Sequence, residues 1–447
     1  MRQLIALAAS LVVAAIPSRA DAQTAAQSPV LRLTLDDAIR DGLQRSHRLA
    51  EAAARGEAAD AVSAERHAAT LPQVAALAGY MRTNHIDTFG ILLPTNQLKI
   101  IYPDVPDNYH TRLDLQWPIY TGGRLDAVER AARAEARASL DDLAAARADL
   151  RLDITRAYWA LVTSREALRV VEESVTRIDA HLQDVRNQLA AGLVPPNDVL
   201  SVEAQESRQR MLRIQAQTSR DVTEAELARL VGAAPGTPIE PAASLEEPSV
   251  EPGGPQALAS LVERARQQRP ERAALATRVA AASARVRAAT AGTRPTVAVA
   301  GGFDYARPNP RSFPREAAWK ESWDASINLN WPLFDGRRTR AEVSEAVATS
   351  RATEERLADF DSMLAVEVRQ CRSEFESSRA AIEAAADAVR SATEARRVVG
   401  ERFAAGVATS TDVLDAQVAL LQAELDRTQA IANARLAEAR LARALGQ

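Results

Sequence analysis

Cysteine occurs once in the 447 residues, at Cys371, so no intramolecular disulfide can staple the chain, and the lone thiol is read as a small buried hydrophobe. No cysteine stands near the N-terminus to carry a lipid anchor. Aromatic residues make up only 4% against abundant alanine, which suits long helices packed side by side and not a compact domain around a large aromatic core. Beyond the first residues no stretch reaches 18 continuous apolar residues, so no transmembrane helix is expected in the mature chain. A β-barrel would escape that test. The formal net charge is −4 with acids and bases interspersed, which argues against nucleic acid as a partner. His47, His67, His85, His110 and His181 show no metal-ligand spacing, and no phosphate loop, nucleophile elbow or pocket carboxylate pair is found. No enzymatic activity, cofactor or metal is expected.

What is present begins with Met1-Arg2-Gln3, an apolar run from Leu4 to Ile16 and the small residues of Ser18-Arg-Ala20-Asp-Ala22. The run is too short to span a bilayer, and residues 1–22 read as a secretory signal peptide cleaved after Ala20 or Ala22.

The chain is then written twice. Leu115-Gln-Trp117-Pro118-Ile-Tyr120-Thr-Gly122 returns as Leu329-Asn-Trp331-Pro332-Leu-Phe334-Asp-Gly336, Ala190-Ala-Gly192 as Ala404-Ala-Gly406, and Asp198-Val-Leu200 as Asp412-Val-Leu414. Upstream, Pro72 to Tyr80 pairs with Pro295 to Phe303, so the copies differ in length at one place, between Tyr80 and Leu115. An insertion survives where backbone is exposed, and Pro94, Pro103 and Pro106 oppose regular structure there. The organisation expected is a first repeat at 31–232, a Pro- and Gly-rich non-helical link at 233–256 against the side of the helices, and a second repeat at 257–447.

No Pro or Gly interrupts Arg124 to Ala191, which predicts a helix roughly 100 Å long. Leu168, Val171, Val175, Ile178, Leu182, Val185 and Leu189 recur three and four residues apart, a left-handed coiled-coil seam. Gly192 ends the helix, and Pro195-Pro196 with Asn197-Asp198 starts a returning helix to about Val231. The second copy predicts the same hairpin from Arg338 to Ala405, turning at Gly406 and returning from Ser410-Thr411-Asp412. Leu414, Val418, Leu421 and Leu425 form its seam, and Arg396 stands where the first copy has Leu182. Segments 35–71 and 257–292 are helical in pattern and complete the columns.

Two segments per copy alternate with period two. Leu113, Leu115, Trp117 and Ile119 alternate with Arg112, Asp114 and Gln116, and Trp323, Ala325, Ile327, Leu329 and Trp331 alternate with Asp324, Ser326, Asn328 and Asn330. Strand pairs are placed at about 73–83 with 110–120 and 295–306 with 319–334. A soluble sheet alternates in the same way, but helices about 100 Å long give the polar face no globule to join, which favours a lipid-facing barrel. Four strands cannot close a pore, so the chain must oligomerise; a trimer of twelve strands and a dimer of eight both satisfy the geometry.

The junctions Trp117-Pro-Ile-Tyr-Thr-Gly-Gly123 and Trp331-Pro-Leu-Phe-Asp-Gly336, with the tip Phe403-Ala-Ala-Gly406-Val-Ala-Thr-Ser-Thr-Asp412-Val-Leu-Asp415-Ala-Gln417, resemble those of the outer-membrane efflux protein family, the TolC-like ducts. The resemblance covers residue 31 to the C-terminus. It implies an α+β membrane protein: a homotrimer sharing a 12-stranded β-barrel in outer-membrane lipid, with an α-helical barrel of coiled-coil hairpins in the periplasm. It implies an exit duct of a tripartite efflux or type I secretion system, docked through a periplasmic adaptor onto an inner-membrane transporter.

By the same resemblance Asp412 and Asp415 ring the periplasmic entrance. Phe403 matches an aromatic that contacts the neighbouring hairpin, on which Asn197 and Asp198 stand, and Gly192 and Gly406 mark adaptor-docking tips. Ala408 stands where the best-known members have an arginine, and Phe403 lacks a hydroxyl, so polar links that hold the closed state are missing. Asp412 is also read as a helix cap, as is Asp198, and both glycines as left-handed helix ends. The competing reading from another class is an exported coiled-coil scaffold or adaptor without a pore; adaptors carry one hairpin per chain and soluble β-domains.

Overall fold

The computed structural model describes residues 30–245 and 257–447; the segment 1–22 read as a signal peptide and the later part of the link lie outside the described residues. The first repeat runs β1 (Leu31–Leu33), α1 (Leu35–Arg45), α2 (His47–Ala68), β2 (Gln73–Arg82), β3 (Phe89–Leu92), β4 (Leu98–Tyr102), β5 (Asp107–Tyr120), α3 (Arg124–Ala190) and α4 (Pro196–Val231). After β6 (Ile239–Pro241) come α5 (Leu258–Gln268), α6 (Pro270–Thr290), β7 (Thr296–Arg307), β8 (Lys320–Asn330), α7 (Arg338–Ala404) and α8 (Ser410–Ala444).

Both segments expected as continuous helices are broken. Ser46 ends α1 with an extended backbone and its hydroxyl accepts the amide of Leu49 to begin α2. In the second repeat Pro270 forces Arg269 out of the helical region. The Arg269 guanidinium is buried there; it pairs with Glu367 at 2.9 Å and reaches the carbonyls of Arg443 and Ala444 at the end of α8. The break thus positions a charge that caps another helix.

α3 and α7 are equal in length at 67 residues, but α3 buries 23 residues and α7 only five, none of them beyond Phe375. The reason is position. In the upper half α3 lies between α2 and α6, with α7 beyond α6; in the lower half it lies between α4 and α8, with α7 beyond α8. The α3 seam from Leu168 to Val185 is buried as its spacing predicts, each side chain contributing about 1.5–3 kcal/mol. In α8 the buried stripe is Val413, Gln417, Leu420 and Leu421, and Val418 is exposed, because α8 packs on both α3 and α7 and its buried face is rotated from the heptad read in the sequence.

The four long strands form one antiparallel sheet in the order β2-β5-β7-β8, with Leu113 opposite both Ala76 and Phe303, and Phe303 opposite Trp323. β8 stops at Asn330, before the expected Trp331 to Phe334, whereas β5 continues through Trp117 and Pro118 to Tyr120. The repeated motif adopts two structures because β5 is central and pairs with Val297 to Val299 there, while β8 is an edge and β7 begins only at Thr296. The expected irregular loop after β2 contains the hairpin β3–β4, turned at Asn96 with φ 65°. The link contributes β6, which pairs in parallel with β1; the hydroxyl of fully buried Tyr158 donates to Leu33 O at 3.2 Å and accepts from Ala243 N at 3.0 Å.

Candidate functional site at the hairpin tips and the sheet

Each long hairpin turns by the same device. Gly192 and Gly406 adopt φ 74° and 72°, and the amides of Leu193 and Val407 reach back to Gln188 O and Arg402 O at 2.9 Å, closing the helix ends. Nothing lies within 4 Å of where a Cβ would stand at either glycine, so the conformation and not crowding requires glycine.

The returning helices start differently. Pro195 occupies the outer cap position and makes no side-chain cap, which corrects the expectation that Asn197 or Asp198 caps α4; both lie in its first turn. Thr409 occupies the inner position, its hydroxyl accepts from Asp412 N at 3.2 Å, and the Asp412 carboxylate accepts from Thr409 N at 2.8 Å. Asp412 is therefore the reciprocal member of a capping box and not the cap itself. Asp198 stands at the equivalent place, but Pro195 has neither hydroxyl nor N–H to exchange. The backbone and hydroxyl bonds from Thr409 hold the Asp412 carboxyl below the ordinary carboxylate range. Asp415, one turn on, is exposed.

Phe403 packs with Leu414 on the cluster of Ile178, Leu182, Val185, Val199 and Val202, and its ring meets His181 edge-on at 5.2 Å. Among the described residues no hydrogen bond joins Phe403 to Asn197 or Asp198. The inner tip is instead tied to α3 by His181, whose Nε2 lies 3.0 Å from Ser410 Oγ; the imidazole is 6% exposed, and burial pushes its pKa down. Metal-ligand spacing does not single out His181 among the five histidines. The available signal was a second seam on α3, Ser174, Ile178, His181 and Val185, again at four-three-four spacing.

At the end of the long helices opposite the hairpin tips the sheet has two unlike faces. Val74, Tyr80, Leu113, Trp117, Trp323, Ile327 and Leu329 are exposed on one. On the other, Arg112 pairs with Asp114, Asp304 and Asp324 across β5, β7 and β8. Aromatic rings gather at both ends of the apolar face: Tyr80, Tyr109, Tyr305 and Trp319 contact one another at 5.0–5.9 Å, and Trp117, Tyr120, Trp331 and Phe334 stand exposed at the other end. The eight residue steps from Tyr109 to Trp117 on β5 and the twelve from Trp319 to Trp331, which flank β8, span about 27 and 40 Å if extended, which a tilt of about 40° projects to roughly 20–30 Å. That matches the apolar band of an outer-membrane barrel. No helix among the described residues is long and apolar enough to cross a membrane.

The family model for outer membrane efflux proteins matches residues 38–233 and 261–447. The chain belongs to the outer membrane efflux protein family. This efflux-family chain is a protein of the outer membrane and is 28% identical over 308 residues to protein CyaE of Bordetella pertussis, an alignment covering 68% of this chain and 63% of that protein. It is 25% identical to outer membrane protein TolC of Vibrio cholerae over 89% of this chain and 87% of the other. The solved CmeC outer membrane channel of Campylobacter jejuni superposes with a TM-score of 0.79 at 16% identity, over 92% of this chain and 85% of that one. The family member thus has the fold of TolC-like channels, helical columns joined to a β-sheet.

Proposed function

We propose that the chain is one third of a homotrimeric outer-membrane exit duct, serving a tripartite efflux or type I secretion system and conducting passively, without enzymatic chemistry. The observation that carries this reading is that every layer of the single chain ends in matching bare edges. β2 and β8 are unpaired sheet edges. In the helical layer α4 exposes the stripe Leu200, Met211, Ile214 and Val222, and the far flank is α7, with Met363, Val366 and Val398 exposed. A second copy placed head-to-tail covers both at once, and such contacts close a ring by rotation. Three copies give twelve strands, with Arg112, Asp114 and Asp324 lining the lumen and the apolar face in lipid.

In that ring the six carboxylates of Asp412 and Asp415 surround the periplasmic entrance and attract cations. Phe403 reaches an outer hairpin, Asn197 and Asp198 line the outer tips, and Gly192 and Gly406 present the turns to a periplasmic adaptor that links the duct to an inner-membrane transporter. Native mass measurement of the protein in detergent tests the assembly: a trimer is expected, and a well-folded monomer would end this reading. Cross-linking in the periplasm followed by identification of the captured adaptor and transporter tests the docking.

A further inference from the structure

The inner hairpin is held on the outer one by apolar contacts, Leu421 against Val170 and Val171 and Leu414 on the α3–α4 cluster, and by a row of polar groups set among them. α3 meets α4 through Ile178, Leu182, Val185, Val199 and Val202, all buried apolar side chains. Toward α8 it presents His181 to Ser410 at 3.0 Å and Arg177 to Glu424 at 2.9 Å, with buried Gln417 midway between those α8 partners and its Oε1 unpaired among the described residues. Ser410, Gln417 and Glu424 are seven residues apart, so one face of α8 carries a polar group at every second turn of the seam.

His181 is the titratable member of that seam nearest the tip. Its surroundings offer little to balance a positive charge. α7 supplies the Phe403 ring, α8 the neutral Ser410 hydroxyl, and the Asp412 carboxylate is turned back onto Thr409. On α4, Val199 and Val202 join the cluster that Phe403 packs against, and Glu203 is paired with Arg186. On α3 itself Asp184 acts to stabilise the cation, but burial outweighs it.

We propose that His181 is an acid-sensitive latch at the tip: neutral, it docks the start of α8 through Ser410, and protonated, it becomes a poorly solvated cation in the seam and loosens that end of α8 from α3, while Arg177–Glu424 and the Leu421 contacts hold the rest. The proton comes from the periplasmic solvent. Because the docked imidazole binds a proton less readily than a free one, docking is complete above the ordinary histidine range and weakens as pH falls through it. The consequence for conduction rests on the reading of the tips as the duct entrance.

Spin labels on exposed Asn187 and Thr411, in a Cys371→Ser background, report the separation of α3 from α8 in the assembled protein without reference to conduction. Between about pH 8 and about pH 5.5 the labels should move apart, and single-channel conductance in a planar bilayer should rise by about twofold or more. His181→Gln keeps a hydrogen-bonding side chain without a proton equilibrium in this range, and the ratio of its conductances at the two pH values should fall to about 1. Separation that is unchanged in His181→Gln, or absent in the unmodified protein, overturns the latch. Label movement without a conductance change keeps the latch and refutes the tips as the entrance. Should His181→Gln fail to assemble, the label titration of the unmodified histidine still decides: a midpoint outside the histidine range overturns it.

Discussion

The guanidinium of Arg112 lies over the backbone of Gly302 and occupies the space that a Cβ at position 302 would need. Glycine there lets one side chain on β5 reach Asp114 on its own strand, Asp304 on β7 and Asp324 on β8, at 3.0, 2.7 and 3.0 Å. Gly302→Ala should push the guanidinium off those carboxylates and lower the temperature at which the assembled protein dissociates on electrophoresis. Arg112→Ala should lower it by a similar amount, and the double variant by no more than either. Additive losses would show that Gly302 acts by another route.

Tyr158 ties the link to the core through two backbone groups. Tyr158→Phe removes one of two donors to Leu33 O, which keeps the Ala242 amide at 2.9 Å, and removes the acceptor of Ala243 N; a buried amide left unpaired costs about 1–3 kcal/mol. The variant should expose the 233–256 link to protease before the helical columns are cut. Cleavage at the rate of the unmodified protein would mean that β1–β6 pairing alone secures it.

The hairpin β3–β4 lies at the opposite end of the strands from the long helices and turns through Asn96, whose amide bonds to Leu93 O at 2.9 Å. An epitope inserted beside Asn96 should be reached by antibody on intact cells, and assembly should be unaffected. Labelling only after the outer membrane is permeabilised would invert the topology.

Asp412 and Asp415 should differ in what their removal does. Asp415→Ala should weaken block of the channel by a multivalent cation and leave assembly intact. Asp412→Ala should weaken block and also loosen the start of α8, since its carboxylate completes the capping box; Thr409→Ala should loosen it by about 1 kcal/mol without the loss of charge. The folded carboxyl of Asp412 is held below its ordinary range, so its contribution is complete above that range and is lost as pH falls through the lowered value. The check is bilayer conductance with added cation, with protease sensitivity at the inner tip followed on acidification. Block of the Asp412→Ala, Asp415→Ala double variant equal to that of the unmodified protein would place the cation site elsewhere.

Much of this architecture was legible in the linear chain because it rests on short-range rules. Helix length follows from the absence of Pro and Gly between Arg124 and Ala190, the turns from Gly192 and Gly406, and the strand faces from alternation such as Leu113, Leu115 and Trp117 against Arg112, Asp114 and Gln116. Family membership followed from the same motifs. Less legible were features set by neighbours distant in sequence. The repeated Trp-Pro motif is paired strand in β5 and unpaired after β8, since one strand is central and the other an edge. His181 reads as an isolated histidine until α8 brings Ser410 and α7 brings Phe403 to it.

The sequence by itself determined the duplication, the hairpins, the apolar and polar faces and the end of each long helix, because period, proline and glycine act within a few residues along the chain. Only the tertiary structure decided that Thr409 and Asp412 form a capping box while Pro195 and Asp198 do not, that β6 seeks β1, and that α3 is buried where its copy α7 is bare. Burial depends on which elements stand on either side, and two equal copies laid side by side in one chain cannot both be in the middle.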